Sequence, residues 1–172
     1  IIKSIRHFLD DSGYLEVETP ALQPIYGGAS ARPFTTFHNS LDRSLFLRIA
    51  DELYLKRLII GGFEKVYEIA KNFRNEGMDR NHNPEFTSLE FYEAYSDVYA
   101  MMDFTENLIR NTASAVDSLC FTYEENTIDL KKKFQKKSMY ELFYEYLEED
   151  IKTIDIEVLK SIAKSKNINV DE

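Results

Sequence analysis

Two alternating segments separated by a polar loop constrain this chain more than any other feature. In the first, Val66-Tyr67-Glu68-Ile69-Ala70-Lys71-Asn72-Phe73-Arg74, a period of two sends Tyr67, Ile69 and Phe73 to one face and Glu68, Ala70, Asn72 and Arg74 to the other. In the second, Phe86-Thr87-Ser88-Leu89-Glu90-Phe91-Tyr92, Leu89 and Phe91 face inward while Phe86, Glu90 and Tyr92 face the opposite way. The loop between them contains Gly77 and Pro84, so the pair reads as an antiparallel hairpin with a long tip. One face is core and the other is a charged platform. The run from Phe73 to Phe86 adds arginines, two glutamates, a histidine and aromatic rings, a set suited to a nucleoside triphosphate.

The remaining pattern is that of an α+β fold. Ile2, Ile5, Phe8 and Leu9 recur at helical spacing with Gly13 as the stop, and Tyr14 to Pro20 alternates as an edge strand. Gly27 to Pro33 is a mobile loop by composition. Phe34 to Phe37 and Leu45 to Ile49 read as strands around a turn at Asn39 to Arg43. A helix from about Asp51 ends at Gly61-Gly62, a long helix carries Met101, Phe104, Leu108 and Ile109, and Thr127 to Leu130 is a short strand. From Ser138 the character changes. Ser138 with Glu141 is a capping-box pattern, and Met139, Leu142, Phe143, Tyr146 and Leu147 form an apolar stripe expected to pack in a core. The segment from Ile151 reads as another short helix with a polar end. The expected division is therefore 1–137 and 138–172.

Bulk properties narrow the chemistry. With 172 residues, 44% hydrophobic and 13% aromatic, the chain has the material for a core. A net charge of −9 argues against nucleic-acid binding through bulk electrostatics. The one basic cluster, Lys131-Lys132-Lys133 with Lys136-Lys137, reads as a solvated turn, with an RNA phosphate contact as the alternative. Cys120 is the single cysteine, so neither a disulfide nor a cysteine metal site is expected. A buried filler in a reducing cytoplasm is the expectation for it. No apolar stretch approaches the roughly twenty residues that span a membrane. Neither G-x-x-x-x-G-K-[ST] nor G-x-G-x-x-G after a strand occurs, so a nucleotide must be held on side chains and the sheet face.

Several ordered blocks carry a resemblance. Gly13-Tyr14-Leu15-Glu16-Val17-Glu18-Thr19-Pro20 resembles motif 1 of the class II aminoacyl-tRNA synthetases (about 1–20 with its helix), and Phe73-Arg74-Asn75-Glu76 through Phe86 resembles motif 2 (about 66–95). Gly27 to Phe34, Glu52-Leu53-Tyr54-Leu55-Lys56-Arg57-Leu58 and His82-Asn83-Pro84-Glu85-Phe86-Thr87 are similar to lysyl-tRNA synthetases. The likeness runs from Ile1 to about Tyr99 and thins afterwards. It implies an antiparallel sheet flanked by helices, a cytoplasmic homodimer paired through motif 1, and a ligase of protein biosynthesis that activates lysine with ATP and Mg²⁺ and charges tRNA(Lys).

The implied roles suit the residues. Adenylate formation attacks the α-phosphorus of ATP with a carboxylate already ionised at neutral pH, so positioning and charge stabilisation remain. By resemblance Arg74 bridges the α-phosphate and the substrate carboxylate, a task for a planar guanidinium that lysine cannot repeat. Glu76 accepts from the adenine amino group, His82 reaches the terminal phosphates, and Phe86 stacks under the base. Glu52, helped by the backbone of Gly28, binds the α-amino group of lysine, and Glu90 and Tyr92 surround its side-chain ammonium. The loop at Gly27 to Ser30 closes over the adenylate.

Departures from the family pattern set further expectations. Asp51 stands where proline is common and is expected to serve as the helix N-cap. Asn81 stands where a basic residue commonly precedes the motif 2 histidine. Nothing resembles motif 3, the later acidic residues of the lysine and magnesium sites, or an anticodon-binding barrel. No metal ligands are therefore expected in this chain, which opens on Ile1-Ile2 in mid-pattern. It is expected to be an incomplete catalytic domain, inactive alone, with 138–172 beginning an insertion. The rival readings are a synthetase-like paralogue that ligates an amino acid to a protein, and a non-catalytic synthetase-derived binding module.

Overall fold

The computed structural model describes residues 1–170. Contacts divide the chain into one unit, Ile1–Lys131, and a second that begins at Lys132. The first unit holds α1 (Ile2–Asp11), β1 (Leu15–Glu16), β2 (Leu22–Gln23), β3 (Thr35–His38), β4 (Arg43–Leu47), α2 (Glu52–Ile60), β5 (Lys65–Phe73), β6 (Glu85–Glu93), α3 (Val98–Ser114), β7 (Cys120–Tyr123) and β8 (Asn126–Asp129). One sheet has the order β1-β5-β6, a second β2-β4-β3, and β7 pairs with β8. The fold is an α+β arrangement of antiparallel sheets flanked by helices, with a single parallel pairing of β1 on β5 among the described residues.

The hairpin expected from the alternation is β5 and β6, in a register that sets Tyr67 against Phe91 and Ile69 against Leu89. Those residues face the core, where Leu9 of α1, Tyr14 and Tyr67 are buried and Ile5, Phe91 and Phe104 pack around them. The Tyr14 ring stands edge-on to Phe91 at 6.0 Å and lies 5.1 Å from Phe104, contacts that add to the burial of apolar area. Each buried tyrosine finds an acceptor. Tyr67 Oη donates to Asp10 at 2.9 Å and to Glu16 at 3.2 Å, and Tyr14 Oη donates to Glu93 at 2.7 Å. Burial first, and these carboxylates next, push both phenols well above their usual range.

The C-terminal end of α2 follows its sequence signal. Past α2, Gly62 takes φ +104°, its N–H donates to the Ile59 carbonyl at 3.1 Å, and the N–H of Phe63 donates to Leu58 at 3.1 Å. That double closure needs a left-handed residue, which is why glycine stands there. The strand expected from Tyr14 to Pro20 is shorter than its alternation implies. Only Leu15 and Glu16 pair, at the sheet edge, because the chain then turns to bring Thr19 over the platform.

Two expectations are corrected. Cys120 is exposed on β7 rather than buried, since the β7–β8 hairpin stands as a two-stranded ribbon. In the second unit, α4 (Met139–Leu147) starts with the capping box, Glu141 N–H donating to Ser138 Oγ at 3.2 Å and Ser138 N–H to Glu141 at 2.6 Å. Its apolar stripe is nevertheless not core, because Met139 is 66% and Tyr146 74% exposed. With α5 (Ile156–Ser165) the stripe walls an apolar groove of about 270 Å³.

Candidate functional site

The second face of the β5–β6 hairpin pairs Glu68 with Glu90, Ala70 with Ser88 and Asn72 with Phe86. It is not an open platform. Glu68 and Asn72 are 3% and 2% exposed, because α2 and the chain around Arg48 and Thr19 cover the β5 half. Arg48, itself 6% exposed, donates from Nη1 to Glu68 Oε1 at 2.8 Å and from Nε to the Lys71 carbonyl at 2.8 Å. Thr19 closes the arrangement, its Oγ1 donating to Glu68 Oε2 at 2.5 Å. This buried pair is satisfied on all sides, the condition under which a desolvated ion pair is tolerated. The sequence pattern places Arg48 within the strand run Leu45 to Ile49 and does not mark its burial.

At the tip end of the platform, four expected residues line one cleft of about 270 Å³: Arg74, Glu76, His82 and Phe86, with Gly77 and Pro84 beside them. The Arg74 guanidinium lies 5.0 Å from the Phe86 ring centre and its Nε donates to the Ile49 carbonyl at 3.4 Å. Stacking on the ring and one backbone acceptor fix its plane and leave its other N–H groups for an anion. Among the described residues no carboxylate pairs with it. Glu76 accepts from the Arg32 N–H at 3.2 Å, and the Asn75 N–H donates to the Arg32 carbonyl at 2.7 Å. The Gly27 to Pro33 loop is thereby docked against the hairpin tip. His82 is held in the tip turn by Asp79, whose carboxylate accepts from His82 Nδ1 at 2.8 Å and from the N–H groups of Asn81 and His82 at 2.7 and 2.8 Å. The Asn81 N–H first, and the His82 ring next, hold the Asp79 carboxyl below the usual range.

The third group is acidic. Gly28, at φ +87°, lies so close to α2 that a Cβ there would stand 2.9 Å from Glu52 Cβ and 3.1 Å from Ala50 Cβ. Only glycine meets both demands, and its backbone is thereby brought to Glu52. The Glu52 carboxylate accepts from Lys56 Nζ one helical turn on. Glu90 accepts from Tyr92 Oη at 2.8 Å. The Glu90 carboxyl is pushed up to about 7, by burial first and by its contact with Asp51 next, with the negative charges of Asp51 and Glu52 adding to the shift. The same burial, and Glu90 itself, push the Tyr92 phenol far above its usual range.

Asp51 corrects a sequence expectation. It occupies the N-cap position of α2, but its side chain caps nothing. The carboxylate is fully buried, with Oδ1 accepting from Asn72 Nδ2 at 3.1 Å and Oδ2 accepting from no group among the described residues. Asn72 is held in turn against Ser88 Oγ at 2.6 Å. The side chain is drawn under the platform by Asn72, so the helix N-terminus goes without it.

Among the described residues no group of three or more His, Cys, Asp or Glu side chains is placed to hold a metal ion. No helix among them is long and apolar enough to cross a membrane.

The chain is similar over nearly its whole length to known proteins. Lysine-tRNA ligase of Clostridium novyi (strain NT) is 53% identical over 172 residues, covering 99% of this chain and 34% of that protein. The lysine-tRNA ligase of Clostridium botulinum (strain Langeland / NCTC 10281 / Type F) is 55% identical over 171 residues, with 98% of this chain and 34% of that protein covered. That of Methanospirillum hungatei JF-1 is 52% identical over 170 residues, with 98% and 34% covered. The chain spans about a third of the length of these curated relatives, 34% in each case. A family model described as tRNA synthetases class II (D, K and N) matches residues 1–170, and the chain belongs to that family.

Proposed function

We propose that this chain is part of the catalytic domain of a lysine-tRNA ligase that joins lysine to ATP as lysyl-adenylate and passes the lysyl group to tRNA(Lys). One observation carries the reading. Glu90, Asp51 and Glu52 converge at one end of the platform, where the exposed Lys56 pairs with Glu52 and no cation is described on Glu90 or Asp51. A cationic substrate supplies what such a site lacks, and a neutral isostere would leave a buried carboxylate unpaired. Arg74 and Phe86, in the adjoining cleft, would hold the α-phosphate with the substrate carboxylate and stack under the base. Glu76 would accept from the adenine amino group and His82 would meet the terminal phosphates. Gly28 and Glu52 would take the α-amino group, and Glu90 with Tyr92 the side-chain ammonium.

Chemistry then needs no general base. The lysine carboxylate attacks the α-phosphorus, pyrophosphate leaves, and Arg74 offsets the charge that gathers on the phosphate oxygens. Mg²⁺ belongs to the proposal as the companion of ATP, with most of its ligands expected beyond this chain. Pairing of two subunits through 1–20 is supported by the exposure of Ile2 (47%) and Leu15 (49%). A cytoplasmic location, and the beginning of an insertion at 138–172, complete the reading. Amino-acid-dependent pyrophosphate exchange by the full-length protein tests it: exchange is expected with lysine, and exchange with another amino acid or with none overturns the assignment.

A further inference from the structure

Glu90 and Asp51 are brought together from two elements, and the chain supplies no cation to either of them among the groups described around the pair. From β5, Glu68 lies opposite Glu90 but is neutralised by Arg48, and Asn72 gives its amide to Asp51 Oδ1. On β6, Tyr92 donates to Glu90 Oε2 and Ser88 is engaged by Asn72. From α2, Glu52 adds negative charge and its own partner Lys56 is spent on it. What remains is a fully buried carboxylate oxygen, Asp51 Oδ2, with no donor, against a half-buried acid. A buried acceptor of this kind is strongly unfavourable unless something donates to it.

We propose that Asp51 is a positioning residue of the ammonium subsite: its unpartnered oxygen holds the proton of Glu90 while the site is empty, and a bound ammonium group displaces that proton to solvent. The inference rests on Glu90 as the ammonium acceptor and adds Asp51 and a proton to it. In the empty site Glu90 is the acid and donates to Asp51 Oδ2, which satisfies the orphaned oxygen. When a primary ammonium enters, Glu90 gives its proton to bulk solvent and accepts from the ammonium instead. Charge is conserved: one proton leaves and one cation arrives. The raised affinity of Glu90 for its proton agrees with this order of events. A substrate without a cationic end has nothing to exchange for the proton.

The test has two arms. Without ligand, the unfolding midpoint of the full-length protein is followed from pH 5 to pH 8.5 in wild type and in Asp51→Asn. Wild type should lose stability as Glu90 gives up its proton, and Asp51→Asn should flatten that profile; Asp51→Ser serves should the first variant not fold. A merely structural Asp51 would shift the whole curve and leave its slope, and that result overturns the proposal. In the second arm, calorimetry of lysine binding in buffers of different ionisation heat reads the proton count. Release of about half a proton per site is expected at pH 7 in wild type, falling towards zero in Asp51→Asn. Binding of lysine with no proton release overturns the proposal. No binding of lysine at all, with the flattened profile present, overturns the substrate assignment and leaves the proton pair standing.

Discussion

Glu68 and Glu90 stand directly opposite each other on the same face of the same hairpin, yet their surroundings make them different chemical groups. Glu68 receives Arg48 and Thr19 and is closed over. Glu90 receives a tyrosine hydroxyl, faces a second carboxylate and stays half-buried. A carboxylate matched by the chain's own cation is part of the fold. One that the chain leaves unmatched is reserved for something that arrives, and the stability lost by holding it is the mark of a site. The largest expected effect tests the matched side. Arg48→Ala strands Glu68 with a buried charge, and urea denaturation should show a loss of about 3–5 kcal/mol. A loss below about 1 kcal/mol would mean that Glu68 is as unmatched as Glu90.

The unmatched side responds the other way. Glu90→Gln should leave the unfolding midpoint at neutral pH unchanged or raise it, since it removes a charge that faces Asp51. Lysine-dependent pyrophosphate exchange in the full-length protein should fall by about 100-fold or more, roughly the 3 kcal/mol of a charge-assisted hydrogen bond left unmade. Exchange within threefold of wild type would return Glu90 to the structural class.

The contrast also has a pH signature. Glu90 is held above its unfolded value, up to about 7, so the folded state binds its proton more tightly than the unfolded chain does. Stability from this group is full below the ordinary carboxylate range and falls as pH rises from there through about 7. Because the side chain is only half-buried, solvent screening limits the fall to about 1–2 kcal/mol. Denaturation series at pH 5 and pH 8 measure it, and Glu90→Gln should abolish it.

Much of this was legible in the sequence because period-two alternation fixes which side chains share a strand face. Tyr67, Ile69, Leu89 and Phe91 are on the core side, and Glu68, Asn72, Phe86 and Glu90 on the other, as the alternation predicts. Gly28 beside Glu52 was readable only through resemblance, and the close approach to Ala50 and Glu52 supplies its physical reason. Arg48 and Asp51 were not legible. Their importance comes from burial beneath the platform, which depends on how a loop crosses a sheet, and no local period records that crossing. For Asp51, position before a helix predicts capping, whereas Asn72 competes for the same carboxylate from twenty-one residues away. Cys120 and the α4 stripe failed for a related reason: side-chain type reports a preference for burial, and only neighbours can satisfy it.

The smallest expected effect separates a third glutamate from both others. Glu52 has a cation, as Glu68 does, but Lys56 is 55% exposed and one turn away on the same helix, whereas Arg48 is buried and comes from another strand end. An exposed pair of this kind contributes about 0.3–0.5 kcal/mol. Lys56→Gln should therefore shift the unfolding midpoint by no more than that, and the lysine KM in pyrophosphate exchange should change less than about threefold, since a weakly held cation is readily exchanged for a ligand's. A stability loss above about 1.5 kcal/mol would place Glu52 with Glu68, as part of the fold. A small loss keeps it with Glu90, because a carboxylate that releases its cation this easily is available to a substrate ammonium.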